Sequence, residues 1–88
     1  MIVTVKSKDG CPSCVKAKEW LASNNIAYVE ERYDDANERQ KMYDRLGLVG
    51  SARTVPQIVV SYGNGDDRLI QGYDRLIISG IEFDAGFD

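Results

Sequence analysis

Eighty-eight residues are enough for one small core and no more, so residues 1–88 read as a single domain. Eleven basic and fourteen acidic residues, mixed along the chain, leave a formal charge of −3 and no basic patch or stripe, which argues against a nucleic-acid partner. The chain has no histidine, which removes Ser-His-Asp and Cys-His catalysis and His-ligated metals.

Residues 2–6 form an apolar, β-branched run compatible with a buried central strand. That run is too short for a secretion signal, with neither a basic lead nor a cleavage signature, and no stretch approaches the roughly 18 apolar residues of a membrane span. A soluble, cytoplasmic chain without a membrane partner is expected. Next come Lys8-Asp9-Gly10, an exposed turn by composition, and Cys11-Pro12-Ser13-Cys14, which holds both cysteines of the chain. Lys8 reads either as a solvated surface lysine or as a cation for an anionic partner. Over residues 15–24 the pattern is helical: Cys14, Ala17 and Leu21 share a face, with Trp20 beside them. Asn24-Asn25 suits the helix end, because Asn tolerates the left-handed conformation common there.

A Cys-x-x-Cys at a strand-to-helix junction sets the first sulfur beside the unpaired N–H groups and positive dipole end of the helix, which favours thiolate over thiol. Cys11 is therefore the expected nucleophile. Cys14 falls one turn later on the same side, placed to attack a mixed disulfide on Cys11, and is the expected resolving thiol. Pro12 suits the first helical position, where its missing N–H goes unneeded. Two other readings of the pair stand beside this one. A closed zinc site needs four Cys or His ligands, so here it would require a dimer or carboxylates. Two inert core thiols are the other, and the polar approach through Lys8-Asp9-Gly10 speaks against them. In a reducing cytosol a lone pair in a βαβ context reads as a redox centre, with no metal.

Residues 26–33, rich in Ile, Tyr and Val, read as a second strand and complete a βαβ unit with two parallel strands and a right-handed crossover. Asp34-Asp35 precedes a helical pattern over residues 36–46, with Met42, Tyr43 and Leu46 as its apolar face and Gly47 as its stop. Residues 48–54 lack a period and read as a loop. Thr54-Val55-Pro56 leads into an apolar run, and the turn-rich Tyr62-Gly63-Asn64-Gly65-Asp66-Asp67 makes residues 58–60 and 68–71 an antiparallel hairpin. Gly72 breaks the strand, and Asp74 is placed to cap a short helix reaching residue 79, ended by Gly80. Residues 81–88, with three acids and two phenylalanines, show no period and read as a short acidic tail, with Phe83 or Phe87 available to dock on the core. The order β-α-β-α-β-β-α predicts an α/β fold with a mixed four-stranded sheet and helices on both faces.

Three separated segments, Lys8-Asp9-Gly10-Cys11-Pro12-Ser13-Cys14, Thr54-Val55-Pro56 and Gly72-Tyr73-Asp74, occur in the order and spacing of one family. The sequence resembles the glutaredoxins, within the thioredoxin fold, over nearly all of its length to about Ser79. The resemblance implies a thioredoxin-like fold and a glutathione-dependent thiol–disulfide oxidoreductase, with glutathione as co-substrate. It implies a cis bond before Pro56 that brings the Val55 backbone beside the Cys11 sulfur, where Thr54 and Val55 pair like a strand with the cysteine of glutathione. Gly72-Tyr73-Asp74 resembles the segment that holds the γ-glutamyl end, with Asp74 facing the ammonium. Lys8 matches the position that meets the glycyl carboxylate, and Gln40 is a second match at that end. The implied partners are disulfide-containing or glutathionylated proteins, with a ribonucleotide reductase as the client that family analogy suggests, and the implied state is a monomer. There are departures: Ser13 stands where many members have Tyr, and Gln71 where a second Gly commonly precedes Gly72. Two further readings stand beside this one. One is a small redoxin that takes electrons from thioredoxin reductase. The other is an iron–sulfur carrier in which two chains and two glutathiones hold a [2Fe–2S] cluster through Cys11, a reading that Pro12 disfavours.

Overall fold

Alternation along the first strand decides how the molecule is layered. In β1 (Ile2–Ser7), Val3, Val5 and Ser7 are buried on one face, whereas Thr4 and Lys6 on the other are half-buried. The computed structural model, which describes residues 1–85, places β1 inside a four-stranded sheet of order β2-β1-β3-β4. β2 (Tyr28–Arg32) runs parallel to it on one side. β3 (Gln57–Ser61) lies antiparallel on the other, and β4 (Arg68–Gln71) returns antiparallel to β3. This register aligns Val5, Ile58 and Ile70 in one row and sets Val3 opposite Val60, so the strands present one continuous apolar face.

Helix α1 (Pro12–Ser23) covers that face. Its buried residues are Cys14, Ala17 and Leu21, and Trp20 packs partly buried beside them, as the spacing predicts. Pro12 occupies the first turn, and Asn25 takes the left-handed conformation (φ 58°) just past the helix end. Ile26 is buried but belongs to the connection: its N–H donates to Leu21 O at 2.9 Å, which closes the helix end and delays β2 to Tyr28. Leu76 and Ile81 complete this core.

Helix α2 (Ala36–Arg45) lies on the opposite face, with Asp35 accepting the Glu38 N–H at 3.0 Å as its N-cap. Met42, Tyr43 and Leu48 form a second core, against which Tyr33, Leu46, Val55 and Leu69 pack. Leu69 and Ile70, neighbours in β4, thus point into different cores, which is why the sheet carries helices on both faces. Residues 48–54 contain one 3-10 turn, Gly50–Ala52, where only a loop is expected.

The C-terminal part departs from the sequence reading. Helix α3 (Tyr73–Ile77) is capped by Gly72 at φ 97°, and Asp74 sits inside its first turn. Asp74 therefore makes no cap; the helix begins a residue before it. Residues expected to be a tail form α4 (Ile81–Ala85), with Ile81 fully buried. Phe83 does not dock: it is 71% exposed, because two residues along a helix from a core-facing Ile81 the side chain points away. Phe87 lies outside the described residues.

Candidate active site

The loop after β1 is pinned from outside before it reaches the cysteines. Asp34 accepts the Asp9 N–H at 2.7 Å, and Arg32 pairs with Asp34 at 2.9 Å. The Arg32 guanidinium first, and the Asp9 N–H second, hold the Asp34 carboxyl below the usual carboxylate range. Gly10 then turns the chain at φ 69°, a conformation that suits glycine, and delivers Cys11 to the N-cap of α1. There the Cys14 N–H donates to the Cys11 sulfur at 3.2 Å, so the helix start aims a backbone donor at that atom. Cys11 and Cys14 form a disulfide, with Cα atoms 5.3 Å apart. Cys11 keeps 9% of its surface exposed and Cys14 only 1%, so an incoming thiolate reaches the Cys11 sulfur.

The Val55–Pro56 peptide bond is cis, as the resemblance implies, and the Val55 carbonyl oxygen lies 3.8 Å from the Cys11 sulfur. The Val55 N–H has no partner among the described residues, so this residue keeps a backbone donor available next to the carbonyl that lies by the cysteine. Two anchors hold this loop. Fully buried Gln57 donates through Nε2 to Thr54 O at 2.8 Å, and the Gly72 N–H donates to Pro56 O at 3.1 Å, tying the loop to the end of β4.

Two hollows meet at Thr54 and Val55. One, of about 410 Å³, is lined by Lys8, Cys11, Gln40, Thr54 and Val55 together with Gly10, Pro12, Arg39, Tyr43 and Arg53. The other, of about 430 Å³, is lined by Thr54, Val55, Pro56, Gly72, Tyr73 and Asp74 together with Ser13, Gln71 and Arg75. Nine of the ten residues proposed from the sequence line this furrow; the tenth, Cys14, lies buried behind Cys11. The first arm is cationic, through Lys8, Arg39 and Arg53, whereas the second carries Asp74 and Arg75. Arg53 is held firmly: it donates to Leu48 O at 2.9 Å and to Gln40 Oε1 at 2.7 Å, and it pairs with Asp44. Burial pushes the Tyr43 phenol, on the floor of this arm, above its usual value, so it stays neutral.

The sequence reading missed Arg39, Arg53, Gln57 and Arg75. Three of these carried a signal, since Arg53 directly precedes Thr54-Val55-Pro56, Arg75 directly follows Gly72-Tyr73-Asp74, and Arg39 adjoins Gln40. Gln57 opens an apolar strand, where a polar side chain needs a partner.

The glutaredoxin family model matches residues 3–63. Glutaredoxin 3 of Escherichia coli K12 is 35% identical over 75 residues, covering 84% of this chain and 80% of its own. The crystal structure of glutaredoxin 1 from Francisella tularensis superposes with a TM-score of 0.73 at 32% identity, covering 93% of this chain and 94% of its own. A buckwheat glutaredoxin, crystallised as a glutathione complex, shares the fold with a TM-score of 0.68 at 19% identity, covering 92% of this chain and 69% of its own. With a Cys-x-x-Cys on the first helix of a thioredoxin-like sheet, the chain belongs to the glutaredoxin family of thiol–disulfide oxidoreductases.

Proposed function

We propose that this chain is a glutathione-dependent oxidoreductase that reduces protein disulfides and glutathione mixed disulfides. The observation that carries this reading is the Val55 backbone, its carbonyl beside the Cys11 sulfur and its N–H without a partner among the described residues, at the meeting point of one cationic arm and one arm bearing Asp74. Glutathione has matching parts in the same order: a glycyl carboxylate at one end, a cysteine in the middle and an α-amino acid at the other. Lys8, with Gln40, faces the carboxylate; Thr54 and Val55 pair with the cysteinyl backbone; Gly72, Tyr73 and Asp74 hold the γ-glutamyl end. The glutathione complex of the buckwheat protein is consistent with a ligand of this kind on the fold.

In the dithiol route the Cys11 thiolate attacks a substrate disulfide, and one substrate sulfur leaves as a thiolate. Cys14 then attacks Cys11 in the mixed disulfide, frees the second substrate thiolate and forms the Cys11–Cys14 disulfide. Two glutathiones reduce that bridge and leave as one oxidised glutathione. In the monothiol route Cys11 takes the glutathionyl group from a protein, and a second glutathione removes it. The N–H of Cys14 stabilises the thiolate at each step in which Cys11 carries charge.

The test is NADPH oxidation with a small mixed disulfide as substrate, comparing glutathione plus glutathione reductase against thioredoxin reductase alone. Turnover with the glutathione system is expected. Turnover only with thioredoxin reductase would overturn the glutathione reading while leaving the cysteine roles standing. A brown, absorbing dimer after anaerobic reconstitution with iron and sulfide would instead favour the cluster carrier.

A further inference from the structure

The glutathione reading leaves one charged group of the furrow without a role. Arg39 is occupied, since it donates to Tyr33 O at 2.9 Å, and Arg53 holds Leu48 O, Gln40 and Asp44. Arg75 is different. Its side chain makes no hydrogen bond or ion pair among the described residues, and neither does that of the adjacent Asp74, so the two do not neutralise each other. Both are exposed, and both line the hollow that begins at Val55. Their backbone is not free to drift: Gly72 is bonded to Pro56 O at 3.1 Å, and Leu76, one residue further on, is fully buried. Two opposite, unpartnered charges are therefore held side by side at the end of the furrow opposite Lys8.

We propose that Arg75 is a specificity-determining residue that takes the α-carboxylate of the γ-glutamyl head of glutathione while Asp74 takes its α-ammonium. The inference rests on the glutathione reading and goes beyond it by assigning the selection of a zwitterionic head. A lone carboxylate at this end would accept any cationic head. A carboxylate beside a guanidinium matches the amino-acid head and penalises a head with one charge, because the facing group is then left unpaired. The guanidinium also suits a carboxylate better than an ammonium would, because its planar fork donates in a bidentate manner. The furrow thereby gains a direction: a single anionic group meets Lys8 at one end, and a zwitterion meets Asp74 and Arg75 at the other.

The experiment follows reduction of the Cys11–Cys14 disulfide by acid quench and mass spectrometry. The first thiolate attacks Cys11 and expels the Cys14 thiolate; a second attacks the mixed disulfide, leaving one oxidised thiol dimer and the reduced protein. Four thiols are compared: glutathione; 4-aminobutyryl-cysteinyl-glycine, which lacks the α-carboxylate; glutaryl-cysteinyl-glycine, which lacks the α-amine; and N-acetyl-cysteinyl-glycine, which lacks the head. The native chain should prefer glutathione over each by about tenfold, the loss of one charge-assisted bond. Arg75→Ala should slow glutathione and the glutaryl peptide by about tenfold and leave the 4-aminobutyryl peptide unchanged. Asp74→Asn should show the converse pattern, and Arg75→Lys should recover part of the loss with glutathione. Equal losses with all four thiols on Arg75→Ala, or none, overturn the role of Arg75 and leave the glutathione reading intact. A native chain that reacts alike with all four overturns the glutathione reading and this inference with it.

Discussion

Replacing Arg53 by Met tests whether one side chain fastens α2 to the loop that precedes the cis-proline turn. Methionine keeps an unbranched apolar stem but removes every donor, together with the guanidinium that lies 5.9 Å over the Tyr43 ring. The donor to Leu48 O matters most, because Leu48 is only 6% exposed; stripping a buried carbonyl of its partner costs about 1–3 kcal/mol. The pair with Asp44 and the bond to Gln40 contribute less, about 0.2–1 kcal/mol each, since the Asp44 side chain is 65% exposed and Gln40 is exposed too. The sum is about 3 kcal/mol, or roughly a 150-fold fall in the folded-to-unfolded ratio. For a domain this small, a urea slope of about 1–1.5 kcal/mol per molar turns that loss into a midpoint lower by about 2–3 M. Arg53→Lys should recover less than half, because one ammonium cannot reach acceptors on α2 and on the loop together. Equilibrium urea denaturation of the reduced proteins measures both. A midpoint lowered by less than about 0.3 M in Arg53→Met, with unchanged slope, would refute the fastening role.

Two other outcomes follow from the same structure. Cys14→Ser should retain reduction of glutathione mixed disulfides but lose reduction of protein disulfides by at least about tenfold, because only the second needs a resolving thiol, whereas Cys11→Ser should abolish both; equal losses for Cys14→Ser in the two assays would remove its assignment. Glu30 accepts from Lys18 at 2.8 Å and from buried Ser7 at 2.7 Å, and these bonds, Lys18 first, hold its carboxyl below the ordinary value of 4.5. A folded-state value below the unfolded one contributes stability that is present above about pH 4.5 and is lost as pH falls through the folded value. Glu30→Gln should thus cost about 1 kcal/mol at pH 7, after allowance for partial exposure, and the gap to the native chain should narrow steadily in urea melts as pH is lowered below 4.5. A gap that does not narrow would assign the loss to packing.

Local order was legible because its causes are local. The face of Cys14, Ala17 and Leu21, the Pro12 start, the Asn25 turn and the hairpin between β3 and β4 follow from side-chain spacing and from backbone preferences of neighbouring residues. The end of the chain was not legible, because Ile81 is the only fully buried residue of α4 and one apolar position makes no period. Gly72 took the cap that Asp74 was expected to hold, since the strand anchored at Pro56 sets where α3 can begin.

The sequence by itself determined the cysteine pair, its place at the start of a helix, and three motifs that name a family. The tertiary structure alone decided which charges share a furrow. Lys8, Arg39 and Arg53 come from a loop, a helix and a turn far apart in the chain, and they converge only because β1 and β3 pair while α2 packs over the sheet. It also decided that Arg53 is spent on Gln40, Asp44 and Leu48 while the Arg75 side chain has no partner among the described residues. No spacing rule carries that difference, because two arginines of identical chemistry are distinguished only by what folding sets within about 3 Å of their guanidinium groups.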